Sequence, residues 1–287
     1  MSLLQAILLG IIQGLTEFIP ISSTAHLVLA SRVMNLALTP EQLTSSIAVI
    51  QLGTLIAVFF YFAGDIWNIS IAFIRDHLAL LTGRGKNSTG SRLSREAWLG
   101  WLIVIGSIPV AVVGLLFKKQ IEGTFTKNLL VIATMMVVIA VLLAIAEVVG
   151  KKFRGIETLG IGDALAVGFA QCLALIPGSS RSGSTIMAGL FAGETRETAA
   201  RFSFLLSIPA VAASGLLELK EALHRLPSGS LTTLAVGTIV SGIIGYASIW
   251  FLLRFLRTHT TAVFIGYRLL VGGAILIMLF SGRLSAL

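Results

Sequence analysis

Two polar strings, each broken by a proline and followed by serines, carry the residue types that can handle a phosphate group. In residues 10–26, Gln13 and Glu17 stand four apart, followed by Pro20, Ser22, Ser23, Thr24 and His26. In residues 168–183, Gln171 precedes Pro177, Ser179, Ser180, Arg181 and Ser182. Helical spacing puts Gln13 and Glu17 on one face. A carboxylate and an amide oxygen there suit a hard divalent cation, Mg2+ or Ca2+, whose shell is completed by water and phosphate oxygens. The competing reading of Glu17 is a structural carboxylate, protonated or paired with an arginine. His26 lies four residues beyond Ser22 and three beyond Ser23. A helix starting there stacks imidazole near a hydroxyl, the minimum for an activated nucleophile or a proton relay. The competing reading is capping, because Ser and Thr open helices after a proline. Ser179, Ser180, Arg181 and Ser182, flanked by Gly178 and Gly183, read as a turn opening a helix. Its free N–H groups, hydroxyls and guanidinium form a cradle for a phosphate or diphosphate. Ser22 and Thr24 are expected to face the same anion.

The elements that must position these residues are membrane helices. Of 287 residues, 56% are hydrophobic and 12% charged, against about 25% charged in a soluble domain; the mean hydropathy is +0.95. The chain reads as an all-α polytopic membrane protein with about six crossings of about 20 residues. They are expected near 43–63, 97–117, 128–149, 198–219, 231–253 and 262–281. Residues 65–81, with Asp65, Asn68, Arg75, Asp76 and His77, read as an amphipathic extension lying at the interface, a seventh crossing being the alternative. Residues 3–34 and 160–193 carry their polar break in mid-segment, and Pro20 and Pro177 end the first limb. Such breaks are tolerated in a bilayer only where protein or water satisfies them, so both are expected to be re-entrant helical hairpins. Three crossings after each hairpin make an inverted-topology repeat whose tips meet near the midplane. The chain is thus read as one membrane domain, 1–287, with halves of approximately 1–125 and 126–287.

The net charge of +8 is carried in loops. Twelve basic residues, Lys86, Lys151 and Arg154 among them, fall on one side and six, including Lys118, Lys119 and Lys127, on the other. That asymmetry marks the first side as cytoplasmic and turns the first hairpin outward. No aromatic-interleaved basic platform exists, so nucleic acid is not an expected partner. The single cysteine, Cys172, excludes an internal disulfide. The start of the chain lacks a basic n-region and a small-residue cleavage site and is not read as a cleaved signal. Gly85-Lys86-Asn87 lacks the leading glycine and hydroxyl of a P-loop; Asn87-Ser88-Thr89 matches a glycosylation acceptor but falls on the cytoplasmic side. Gly10 with Gly14, and Gly189 with Gly193, read as close helix contacts. Gln51, Asp163, Gln171, Tyr267 and Arg268 read as supporting polar groups.

On these strings the chain resembles the bacterial undecaprenyl-diphosphate phosphatase family, the bacitracin-resistance (BacA/UppP) proteins. The match runs through Gln13 and Glu17, Pro20 to His26, Pro177 to Gly183, Gln51-Leu52-Gly53-Thr54, Gly162-Asp163 and Ala199-Ala200-Arg201-Phe202-Ser203. The resemblance implies removal of the terminal phosphate from a polyprenyl diphosphate lipid, which recycles the carrier for cell-wall synthesis. It also implies a divalent cation, a site open to the outside of the bacterial plasma membrane, and a homodimer. Glu17 with Gln13 would hold the cation, Arg181 with the serine turn would neutralise the transferring group, and Ser23 with His26 as proton shuttle would attack; direct attack by metal-bound water is the open alternative. Paired broken helices also fit a flippase for a phosphorylated polyprenyl lipid, the rival that hydrolyses nothing.

Overall fold

The computed structural model describes residues 1–36, 38–82, 93–117, 128–225 and 230–286, leaving aside the side chains at 40, 41, 214, 217, 218, 221–225 and 230. The P-loop decoy at 85–87, the acceptor at 87–89 and Lys118, Lys119 and Lys127 lie outside them. The described elements are helical: α1 (Leu3–Phe18), α2 (Ser23–Val33), α3 (Pro40–Tyr61), α4 (Ala63–Leu81), α5 (Arg95–Leu116), α6 (Leu129–Val149), α7 (Ile161–Cys172), α8 (Arg181–Phe191), α9 (Arg196–Arg225), α10 (Ser230–Leu256) and α11 (Ala262–Phe280). Among the described residues, five stretches are long and apolar enough to cross a membrane: Gln42–Tyr61, Arg95–Leu116, Leu129–Val149, Leu231–Leu256 and Ala262–Phe280. The protein is an all-α, multi-pass membrane protein. The sixth expected crossing, 198–219, falls within α9, which is not one of these five.

Both proline-broken strings form pairs of short helices. Ser2 opens α1 through a capping box with Gln5. Ile19 is extended (φ −65°, ψ 132°), as a residue preceding proline prefers, so α1 stops at Phe18. Ser22 then caps α2, its hydroxyl accepting from the Ala25 N–H at 3.4 Å. In the second string, α7 runs into a short 3-10 turn, Leu173–Leu175. Ser180 caps α8, its hydroxyl accepting from the Gly183 N–H at 3.1 Å.

Glycines set how closely these limbs approach the long helices. α1 lies along α10, with Gly10 against Gly237 and Gly14 against Ser241, Ile244 and Gly245. α7 lies along α5 in the same manner, Gly168 against the Gly106 carbonyl. α3 packs on α9 and α6 on α11. α3 meets the other side of α10 at Gly53, where an added methyl would be driven into the Thr238 carbonyl oxygen. Because that obstacle is backbone, Gly53→Ala is expected to destabilise the protein by about 1–3 kcal/mol. Thermal unfolding in detergent checks this; an unchanged midpoint would mean that α3 can move off α10. The pair Gly189 and Gly193 differs from the expected helix contact. Gly193 lies beyond α8 in a turn at φ +84°, and Gly189 faces Glu194 and Ala199.

The core beside the first hairpin is aromatic. Phe18 and Phe204 meet edge-on, centroids 5.3 Å apart, and both are buried. This contact fixes the end of α1 against α9. α4 is a separate helix that starts after the break at Phe62. Its two acidic residues turn toward the protein: Asp65 pairs with Arg201 at 2.5 Å, and buried Asp76 accepts from the Ser94 N–H at 2.6 Å. Trp67, Ile71, Ile74 and Leu78 remain exposed at helical spacing, the stripe of an amphipathic helix.

Candidate active site

Glu17 is where the two strings join. Its Oε2 accepts from Gln13 Nε2 at 3.0 Å and from Ser23 Oγ at 2.9 Å. Its Oε1 pairs with the Arg181 guanidinium at 3.2 Å, across 164 positions of sequence. The Glu17 and Arg181 side chains are only 8% and 12% exposed, so the pair sits where charges attract strongly and are costly to separate. Arg181 also reaches the Ser203 carbonyl at 3.5 Å, and Ser203 Oγ is bonded to Thr185 Oγ1 at 2.6 Å.

The helix caps explain how Ser23 and Arg181 come to the same carboxylate. Counting from the prolines, sequence pairs Ser22 with Ser179 and Ser23 with Ser180. The structure pairs them differently: Ser22 and Ser180 are the caps, both at positive φ (78° and 68°). Gly178, at φ +90°, adds one residue to the second turn. Ser23 and Arg181 are therefore the equivalent first residues of α2 and α8. Positive φ in a non-glycine residue is strained and persists only where surrounding contacts enforce it.

The remaining expected residues divide by environment. Ser182 is fully buried, its hydroxyl facing the Glu17 and Ile19 carbonyls at 3.5 and 3.4 Å, so it ties one tip to the other. Ser179 is fully buried, its hydroxyl without a partner. Thr24 is exposed on α2. His26 does not face Ser23. Its Nδ1 is 2.7 Å from the Ser22 carbonyl and its Nε2 2.7 Å from the Tyr267 hydroxyl. A carbonyl only accepts, so Nδ1 carries the proton, and in the neutral ring Nε2 accepts from Tyr267. Tyr267, 40% exposed, brings this couple to the surface. The base nearest to Ser23 is thus Glu17.

Sequence reasoning left Tyr267 and Arg268 as supporting groups and gave Ser203 no role. Arg268 is fully buried and donates five hydrogen bonds to main-chain carbonyls, two of them to Gly178 at 2.9 Å and Pro20 at 3.2 Å. An arginine inside an apolar span was the available signal.

The donor set fits a divalent cation that takes few protein ligands. Among the described residues no three His, Cys, Asp or Glu side chains converge as a metal-ligand group. Glu17 and Gln13 supply one carboxylate and one amide, which suits Mg2+ holding mainly water and substrate phosphates. Gln13 would turn its carbonyl oxygen, instead of Nε2, toward the ion.

The outer end of the second pair carries its own charge cluster. Arg154 forks onto Asp163 at 2.6 and 2.7 Å, which gives Asp163 its structural role. Behind it Glu194 is fully buried with both carboxylate oxygens unpartnered. Burial, and then the nearby Asp163 charge, push its carboxyl up to about 7 from 4.5, with Arg154 opposing. Between those two values the folded protein keeps a proton that the unfolded chain releases. Stability therefore falls as pH rises through that window and levels off above it. Glu194→Gln is expected to remove this fall, outlasting the wild type above about pH 7 and matching it near pH 4. Thermal unfolding across pH checks this; parallel curves would contradict it.

A family profile described as "Bacitracin resistance protein BacA" matches residues 6–274. An undecaprenyl-diphosphatase of Syntrophobacter fumaroxidans is 54% identical over 282 residues, 98% of this chain and 98% of that protein. Those of Mycolicibacterium gilvum and Chlorobium limicola are each 47% identical, over 290 and 296 residues, covering 100% of both chains in each case. With the two broken helix pairs meeting at Glu17 and Arg181, and this likeness running end to end, the chain belongs to the BacA family of bacitracin-resistance proteins.

Proposed function

We propose that this protein hydrolyses undecaprenyl diphosphate to undecaprenyl phosphate and inorganic phosphate, and that this confers resistance to bacitracin. The observation that carries the reading is the buried contact of Glu17 with both Ser23 and Arg181. A carboxylate that can act as base has a hydroxyl and a guanidinium within hydrogen-bond reach, which supports the reading. The relatives named undecaprenyl-diphosphatase match over their whole length.

In the proposed step the terminal phosphate takes the Arg181 guanidinium from Glu17. The first-turn N–H groups of α2 and α8 stabilise its equatorial oxygens. Glu17 then accepts the Ser23 proton while Ser23 Oγ bonds to phosphorus. The anhydride P–O bond breaks, and its electron pair leaves on the lipid monophosphate. Glu17 passes that proton to the departing lipid phosphate. In the second half water attacks the phosphoserine, Glu17 takes the water proton, the P–Oγ bond breaks, and Ser23 recovers the proton as inorganic phosphate leaves. Direct attack by water would use the same base and the same donors. A divalent cation held by Glu17 and Gln13 would supply charge neutralisation when bound. His26 and Tyr267, at the exposed edge, hold a proton where the leaving phosphate departs.

The membrane arrangement belongs to the same proposal. The parallel packing of α1 on α10 and α7 on α5 supports one domain built as an inverted repeat, approximately 1–125 and 126–287. The loop charges support residence in the bacterial plasma membrane with the site open outward, and the family likeness supports a homodimer. The test is phosphate release by purified protein in detergent, with and without a chelator. The reading expects release that stops on chelation. No release, alongside movement of the lipid across liposomes, would favour a carrier instead.

A further inference from the structure

We infer that Arg268 is the positioning residue that sets the distance between the two halves of the catalytic site, holding the tips of both broken helix pairs in one register without touching substrate. The inference rests on the proposed hydrolysis, and it concerns a residue outside both motifs.

Arg268 lies in the apolar helix α11 and is fully buried. A guanidinium in such a place is costly unless its donors are met. Here all five bonds go to main-chain oxygens. Nε donates to Met136 at 3.1 Å and Nη2 to Met135 at 3.3 Å, which fixes the group to α6. Nη1 donates to Pro20 at 3.2 Å, in the first tip. Nη2 also donates to Gly178 at 2.9 Å and Ser179 at 3.1 Å, in the second. The planar fork thus bridges the turns that lead into Ser22 and Ser180, the two strained caps, at Pro20 on one side and at Gly178 and Ser179 on the other. A compact ammonium has three donors on a flexible stem and cannot reproduce a five-point planar clamp.

The trans peptide gives this clamp a direction. The carbonyl and N–H of one peptide unit point opposite ways. With the Pro20, Gly178 and Ser179 carbonyls turned to Arg268, the N–H groups of Ile21, Ser179 and Ser180 are turned away from it. Arg268 therefore orients each tip as well as joining them. Gly183 shows how little slack remains, since an added methyl would lie 3.3 Å from Arg268 Nη1 and 3.2 Å from Ser180 Cβ.

The test is steady-state kinetics on purified Arg268→Met, Arg268→Lys and Gly183→Ala, with undecaprenyl diphosphate as substrate. A clamp that orients reacting groups acts in the transition state, so kcat should fall and KM should stay near the wild type. The expected losses in kcat are at least about 100-fold for Met, about 10-fold or more for Lys, and smaller but measurable for Gly183→Ala, which displaces the clamp while keeping its charge. Wild-type kcat in Arg268→Lys would overturn the inference, as would losses confined to KM. If both Arg268 substitutions fail to fold, Gly183→Ala decides, since unchanged kcat there would overturn it too. An inactive wild type would instead refute the proposed function.

Discussion

Phosphate release by Glu17→Ala or Arg181→Ala should drop by about 100- to 1000-fold or more, the scale of losing one charged group aimed at a developing charge. The two residues act as a unit, so the double variant should lose much less than the product of the single losses. Stability should order differently. Each single change leaves a buried charge without its ionic partner, at a cost of about 3–5 kcal/mol unless it neutralises. Removing both should recover part of that stability without recovering activity. Unfolding in detergent, measured beside turnover for all four proteins, separates the two effects. Turnover close to wild type in either single variant would remove the pair from the chemistry.

The second large effect concerns Ser23. If its hydroxyl attacks phosphorus, Ser23→Ala should lose several orders of magnitude in kcat, as nucleophile deletions do. Rapid acid quench of the wild type should then reveal phosphate bound to Ser23. If water attacks directly, the variant loses only a hydrogen bond to a carboxylate, about 1.5–3 kcal/mol, or about 10- to 100-fold. The gap between these magnitudes is wide enough for one assay to decide. Full activity of Ser23→Ala would exclude both its roles.

Most of the site was readable before the fold because polar residues inside apolar sequence must be satisfied by one another. Gln13, Glu17 and Arg181 share that property, and they do meet. The end of α1 was readable from Pro20, which forces Ile19 out of the helix; α7 ends earlier, at Cys172, before a 3-10 turn that leads to Pro177. The pairing between the strings was not readable. Aligning the prolines sets Ser23 beside Ser180, whereas the extra Gly178 moves the second cap one residue on and sets Ser23 beside Arg181. A one-residue change in a turn depends on a positive φ that no spacing rule reveals. His26 was expected near a serine hydroxyl because helical spacing allows it. Its ring is taken instead by the Ser22 carbonyl and Tyr267, a partner 241 positions away. Arg268 was visible as an anomaly in α11, but its task depends on carbonyls from three other segments, and backbone acceptors leave no trace in residue types.

The two serine corners at positive φ bear on how such an enzyme could be blocked. Surrounding contacts hold the backbone of both corners at positive φ, so little of it is left for a bound anion to order. Affinity would then depend on the shape of the inhibitor itself. A flexible anion forfeits binding energy to its own ordering, while a stiff double anion that already repeats the outline of a diphosphate does not.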